Sequence, residues 1–158
     1  MSTRSAIGYV TKNRDFSAIF CRFDGYLGHN GRILENFYTN MEKVKRLVRM
    51  GDLIILRDDI CPSMPHLTLP SKYECEINNW CEYFNPDRAY PRLFTSIESI
   101  VDYFTKANVE YIYMYIEEEK QWRVLECTDP KQEWKMLSQC LLDANKNTVD
   151  LGYNIVER

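Results

Sequence analysis

The stretch that decides the fold is residues 16–38, which read FSAIFCRFDGYLGHNGRILENFY. Its first residues alternate between two sets of side chains, and this period of two predicts a β-strand. Asp24 and Gly25 interrupt the alternation, because glycine tolerates left-handed backbone and aspartate bonds the backbone just beyond itself. Past Gly31 the apolar residues recur at helical spacing. The stretch therefore predicts a strand, a turn punctuated by glycines and a short helix.

The turn in this stretch has two interpretations. It places Asp24, Tyr26, His29 and Asn30 at the end of a core strand, where polar side chains can meet a ligand from a rigid base. The same glycines also suit a plain connection between two elements, and the ordinary role of glycine in turns favours this second interpretation.

Elements are also predicted before and after this stretch. Residues 4–11 have strand character, and a polar turn joins them to the next strand as an antiparallel hairpin. Thr39 or Asn40 is placed to cap a second helix, which Gly51 ends. Residues 57–72 carry three prolines without periodicity and predict a long loop, before a possible strand near residues 80–84.

The C-terminal half predicts a second hairpin with a helix on each side. Thr95 and Glu98 have capping-box spacing at the start of a helix. Residues 109–116 predict a strand with both faces covered, and residues 121–127 predict its hairpin partner. Asp129-Pro130 is expected to begin the last helix, with Trp134, Leu137 and Leu141 on its apolar face.

Composition limits the class of protein. The 158 residues, 45% hydrophobic and 13% aromatic, predict one domain over residues 1–158 with a real core. We expect an α+β fold, in which N- and C-terminal hairpins build an antiparallel or mixed sheet and helices pack on one of its faces. A net charge of -3 argues against nucleic-acid binding through bulk electrostatics. No apolar window is long enough to predict a membrane span.

Cysteines and histidines give no recognisable reactive site. The N-terminus lacks an apolar leader, so the six cysteines are expected to be free thiols in a reducing cytoplasm. Cys61, His66, Cys75 and Cys81 are separated by four, eight and five residues, which differs from the close pairs of structural zinc sites. His29 and His66, the two histidines, lie in no familiar catalytic pattern. We therefore expect no metal, no cofactor and no catalytic residue.

Two further patterns leave alternatives open. The second helix carries Lys43, Lys45, Arg46 and Arg49, a set that is either a solvated face or a nucleic-acid contact. Alternate residues of the strand at 109–116 are tyrosines, which form either a stacking platform for bases or part of the core. The core is the favoured interpretation, because large rings dominate core burial.

The sequence resembles a family of small, largely uncharacterised proteins of bacteriophages and prophages. The family begins with Ser-Thr-Arg-Ser-x-Ile and carries Cys-His-Trp-Asp-Gly-Tyr-Pro after its first hairpin, whereas this chain has Arg22, Phe23 and Leu27 in place of His, Trp and Pro. The match is good over the first third and looser beyond it, where Asp87-Arg88 resembles a family turn. The matching positions in the first third are Ser2, Thr3, Arg4, Ser5, Ile7, Cys21, Asp24, Gly25, Tyr26, Gly31, Leu34, Tyr38, Lys43, Val44, Leu47, Gly51 and Asp52.

The resemblance implies a phage protein that acts in the cytoplasm of an infected bacterium. Our leading hypothesis is a non-enzymatic protein that binds a host macromolecule or a defence component through residues 57–92. The alternative is a small-ligand site that sequesters or hydrolyses a nucleotide, in which arginine pairs with phosphate and Tyr26 stacks or donates a hydrogen bond. This site would be built from Arg4, Asp24, Tyr26, His29 and Arg88. Nucleic-acid binding through the second helix is a third and weaker hypothesis.

Overall fold

A computed structural model describes residues 2–62, 69–84 and 91–150, with side chains described as far as residue 144. The described part contains strands and helices that alternate irregularly along the chain. The strands are β1 Ser5–Val10, β2 Phe16–Cys21, β3 Leu53–Ile55, β4 Glu82–Tyr83, β5 Arg92–Phe94, β6 Tyr111–Ile116, β7 Gln121–Glu126 and β8 Lys135–Met136. The helices are α1 Arg32–Phe37, α2 Met41–Arg49, α3 Lys72–Asn78, α4 Ile97–Lys106 and α5 Leu137–Asp150, and a wide helical turn, Leu27–Gly31, leads into α1.

All the strands belong to one mixed sheet. Its order is β4-β3-β2-β1-β6-β7-β8, and β5 pairs with β2 outside this path. The two predicted hairpins are confirmed, because β1 and β2 pair antiparallel and so do β6 and β7. The hairpins meet through a parallel pairing of β1 with β6, in which Ser5 lies opposite Tyr111. The α+β class and the mixed sheet are therefore confirmed.

The sheet carries a hydrophobic cluster on each face. Strand β6 supplies both, since Tyr113 and Tyr115 belong to one cluster, and Ile112 and Met114 to the other. Helices α1, α2 and α5 cover the tyrosine face, whereas α4 covers the opposite face. The expectation that helices pack on one face is thus wrong for α4. Physically, a strand that is apolar on both faces needs a covering layer on each.

The predicted tyrosine row is confirmed as mainly core. Tyr113 is fully buried and Tyr115 is 2% exposed, while Tyr111 at the start of β6 is only partly buried. Cys21 is also fully buried, as expected of a small core residue.

The starts of the helices agree in part with those predicted from the sequence. The side chain of Asn40 accepts a hydrogen bond from the Lys43 amide and caps α2, as one of the two predicted candidates. Helix α4 is confirmed, but its cap is Ser96 rather than Thr95. Helix α3 was not predicted, although Ser71 and Glu74 form a full capping box at its start.

The predicted start of the last helix is wrong. Asp129 lies in a turn, where its carboxylate accepts a hydrogen bond from the Lys131 amide. The chain then adds β8 to the sheet edge beside β7, and α5 begins only at Leu137. Trp134 consequently packs on the opposite face of the sheet from Leu137. The predicted turn that contains Arg88, and His66 of the possible metal set, lie outside the described residues, as do the last eight residues.

Candidate functional site

Residues 24–26, which we call the Asp-Gly-Tyr turn, are held against the start of β1. The Gly25 amide donates to the Thr3 carbonyl at 2.8 Å. A Cβ atom at position 25 would lie 2.6 Å from the Cβ of Ser5, so only glycine allows this approach. The left-handed residue is Asp24, with a φ of 58°, and not Gly25 as the sequence suggested.

Buried side chains fix the turn from below. The Tyr113 hydroxyl donates to the Gly25 carbonyl at 2.6 Å. Asn30 is fully buried, and its amide nitrogen lies 3.1 Å from the Ser5 hydroxyl and 3.4 Å from the Cys21 sulfur. The amide oxygen of Asn30 lies 2.9 Å from Nδ1 of His29. These contacts tie the turn to β1, β2 and β6, which is the structural role that the sequence favoured.

The structure brings together three of the five predicted ligand residues. Asp24, Tyr26 and His29 lie within the turn and the helical turn that follows it, and the rings of Tyr26 and His29 are 6.2 Å apart. Tyr26 is 45% exposed. Arg4 is exposed at the start of β1, next to the Thr3 carbonyl that the turn contacts. Arg88 lies outside the described residues, so a five-residue nucleotide site stays a prediction.

The thiols of Cys21 and Cys81 are buried inside the protein. Burial raises the pKa of the Cys21 thiol to about 12 and that of Cys81 to about 11. The Cys81 sulfur lies 3.2 Å from the Tyr38 hydroxyl and 3.3 Å from the Arg57 amide. Both thiols remain protonated near neutral pH and are weak nucleophiles. Within residues 2–62, 69–84 and 91–150, no three histidine, cysteine or acidic side chains form a possible metal site.

A cavity of about 330 Å³, which we call the acidic cavity, opens beside the Asp-Gly-Tyr turn. Apolar and aromatic side chains form part of its wall, and most of its charged groups are carboxylates. Its lining residues are Leu27, Tyr111, Val124, Glu126, Asp129, Glu133, Lys135, Cys140, Asp143 and Ala144. These residues come from five segments of the chain, and no local sequence pattern indicated them together.

Helix α3 exposes large apolar side chains, and this α3 surface consists of Tyr73 and Ile77 with Glu74 and Glu76 beside them. Tyr73 is 70% exposed and Ile77 is 62% exposed, although Cys75 between them is buried. The two side chains are four residues apart and therefore neighbours on one face of the helix. The α3 surface lies within the range of residues 57–92 that was expected to form an interface.

The basic helix α2 uses one of its cations internally. Nζ of Lys43 donates to the Asp58 carbonyl at 2.9 Å and lies 4.4 Å from the centre of the Tyr38 ring. Arg46 and Arg49 are exposed and line a small cleft with Cys61 and Pro62. Lys43 is thus a tether between α2 and the chain after β3, and nucleic-acid binding by this helix stays a prediction.

Comparisons with protein-family models, with curated proteins and with solved structures gave no match. None of the helices in the described residues is both long enough and apolar enough to cross a membrane.

Proposed function

We propose that this chain is a non-enzymatic binding protein of a bacteriophage, and that it binds a host macromolecule or defence component through the α3 surface. The phage origin rests on the resemblance of residues 2–52 and implies action in the cytoplasm of an infected bacterium. The observation that carries the binding role is the exposure of Tyr73 and Ile77 on α3.

Folding leaves most of the surface of these two side chains in water, so the apolar area is still available to a partner. A tyrosine and an isoleucine side by side in water bury little apolar area, whereas covering both stabilises a complex through the hydrophobic effect. Tyrosine is also enriched among the residues that dominate binding energies. The capping box of Ser71 and Glu74 fixes the start of α3, so little order has to be gained on binding. Glu74 and Glu76 beside the pair outnumber the exposed Lys72, and this small excess of negative charge favours a partner surface with basic groups.

The nucleotide hypothesis has less support from the site. The Gly25 amide donates to the Thr3 carbonyl and the Asn30 amide group to the Ser5 hydroxyl, so these donors are already used within the protein. Among its described lining residues, the cavity that opens next to the turn has four carboxylates and one lysine, and this excess of negative charge repels a phosphate group.

The experiment is a quantitative pull-down from bacterial lysate with the double variant Tyr73→Ala/Ile77→Ala. We expect the wild-type protein to retain a defined macromolecule and the variant to lose at least about tenfold of it, as for the removal of a binding hot spot. Nuclease-treated and untreated lysates distinguish a protein partner from a nucleic acid.

The matched control is Leu142→Ala, because Leu142 is 62% exposed like Ile77 but lies on α5. This control should retain the partner fully. Equal retention by the double variant and the wild type would contradict a role of the α3 surface. Repeated failure of the wild-type protein to retain any partner would contradict the binding function itself.

A further inference from the structure

The acidic cavity has the size and position of a ligand site that is separate from the α3 surface. Its volume of about 330 Å³ lies at the lower end of the range for small-ligand pockets. It is formed where the C-terminal end of β7, the edge strand β8 and one side of α5 meet. In the sheet order β7 and β8 end one side and β4 ends the other. The cavity therefore lies at one end of the sheet, and the α3 surface belongs to the segment that leads into β4 at the other end. The two are separate candidate binding sites.

An aromatic ring contributes one wall of the cavity. Tyr111 is partly buried and stacks on Tyr113, with ring centres 6.2 Å apart and an angle of 16° between the ring planes. The hydroxyl of Tyr113 bonds to the Gly25 carbonyl, so the ring behind Tyr111 is fixed in place. Leu27 and Val124 supply apolar contacts beside it. Such a wall favours the flat face or the apolar stem of a ligand.

Among the lining residues that the structure describes, the charged groups are Glu126, Asp129, Glu133 and Asp143, with Lys135 as the one cation. Three of these carboxylates have a neutral neighbour: Glu126 accepts from the Thr128 hydroxyl, Asp129 from the Lys131 amide, and Asp143 from the Gln139 amide group. The five ion pairs among the described residues involve other acids, namely Asp59, Glu82, Asp52, Asp102 and Glu119. As far as the side chains are described, the carboxylates of the cavity therefore lie outside these ion pairs, and their negative charge is available to a ligand.

The same charge affects the groups inside the cavity. After burial, Glu126 and Glu110 are the charges that raise the pKa of Tyr111. Burial likewise raises the pKa of Cys140, and Asp143 and Glu126 add to this effect while Lys135 opposes it. The carboxylates therefore act on the interior of the cavity as well as on its rim.

From these observations we propose that the acidic cavity binds a guanidinium group carried on a short apolar stem, such as an arginine side chain or a small alkylguanidine. A guanidinium is planar, stacks on an aromatic face and forms paired hydrogen bonds to carboxylates. A plain ammonium would use the charge but not the stack, which makes the guanidinium the better match to a tyrosine wall with acidic edges.

The test is a titration of the full-length protein with two capped amino acids. Binding is monitored by NMR or calorimetry. N-acetylarginine amide carries the guanidinium, and N-acetylcitrulline amide has nearly the same shape without the charge. We expect the first to bind with a dissociation constant on the order of 0.1 to 1 mM, as befits a ligand of its size. The second should bind at least about tenfold more weakly, and added salt should weaken the binding of the first.

Two variants locate the site. Glu126→Gln/Glu133→Gln should weaken binding of the arginine compound by about tenfold, since each exposed charge pair contributes a factor of about two to five. Both side chains are exposed, so this variant keeps its fold. Tyr111→Leu should weaken binding by a similar factor through loss of the stack. The matched control Glu98→Gln/Glu118→Gln removes two exposed charges on other elements and should bind as the wild type does.

Agmatine and a capped Gly-Arg-Gly peptide distinguish the sources of the guanidinium. Tighter binding of agmatine indicates a free small molecule, and tighter binding of the peptide indicates a side chain of a protein. The proposal is overturned if arginine and citrulline compounds bind equally, if neither binds, or if the cavity variants bind like the control. None of these results bears on the α3 surface, because the pull-down described above tests it separately.

Discussion

Replacement of Tyr113 by phenylalanine tests whether the Asp-Gly-Tyr turn is held by its buried hydrogen bond. The change removes a single oxygen, so it leaves the ring packing intact and takes away the 2.6 Å bond to the Gly25 carbonyl. Burial raises the pKa of Tyr113 well above its ordinary value, so the hydroxyl keeps its proton and acts as the donor. A buried carbonyl that loses its partner costs about 1 to 3 kcal/mol.

We therefore expect Tyr113→Phe to lower the free energy of unfolding by about 2 kcal/mol. For a chain of this length that corresponds to a decrease of about 4 to 8 °C in melting temperature. Denaturant unfolding, followed by tryptophan fluorescence, measures the free energy directly.

Tyr115→Phe is the matched control for this substitution. Tyr115 lies on the same face of β6 and is 2% exposed, but its hydroxyl is 3.4 Å from the Thr39 carbonyl, which is a poor hydrogen bond. Its loss should cost less than about 1 kcal/mol. If the two variants lose equal stability, or if Tyr113→Phe matches the wild type, the turn is not anchored in the way the distances imply.

Three further outcomes are expected. Gly8→Ala should destabilise the sheet by about 3 kcal/mol or more in denaturant unfolding, because its Cβ would collide with the Ser17 carbonyl oxygen and lie 2.7 Å from the Ala18 Cβ. An unchanged unfolding midpoint would contradict the β1–β2 register. Ser71→Ala removes the cap of α3 and should cost about 1 kcal/mol, seen as faster hydrogen exchange of α3 amides, while Ser138→Ala on α5 should leave those amides unchanged. The free energy of unfolding should fall as the pH rises above about 9, because the thiols of the unfolded chain lose their protons there whereas burial raises the pKa of Cys21 in the folded protein to about 12. Cys21→Val should reduce this pH slope by up to about 1.4 kcal/mol per pH unit. An equal slope in the variant would contradict the burial of this thiol.

Strong local patterns predicted the elements that they cover. The hairpin of β1 and β2 followed from alternation and a polar turn, and α2 followed from an amphipathic pattern with Asn40 before it. Helix α3 was missed because Tyr73, Cys75 and Ile77 alternate with Glu74 and Glu76, and this period of two is typical of a strand rather than a helix. Its capping box, Ser71 with Glu74, was the available signal.

The beginning of α5 was predicted at the wrong residue because the local pattern there fits two different structures. Asp129-Pro130 suits the first turn of a helix, but the same pair also suits a tight turn. The turn is fixed instead by the pairing of β8 with β7. This pairing joins residues that are well separated in the chain, so no local sequence pattern indicates it. The acidic cavity is hidden for the same reason, since Leu27 and Asp143 meet there although more than a hundred residues separate them in the chain.

The Asp-Gly-Tyr turn and the acidic cavity are linked through one strand face. Tyr113 and Tyr111 are two residues apart on β6 and stack on each other, so the ring that anchors the turn also backs the ring that lines the cavity. The turn continues directly into Leu27, which forms part of the cavity wall. Gly25, whose amide and carbonyl bond to Thr3 and to Tyr113 of β6, can thus help to shape a ligand site without touching the ligand. Residues of the turn act on binding through position, whereas contact with the ligand falls to Leu27 and to the lining residues of β6, β7, β8, α5 and the segment between β7 and β8.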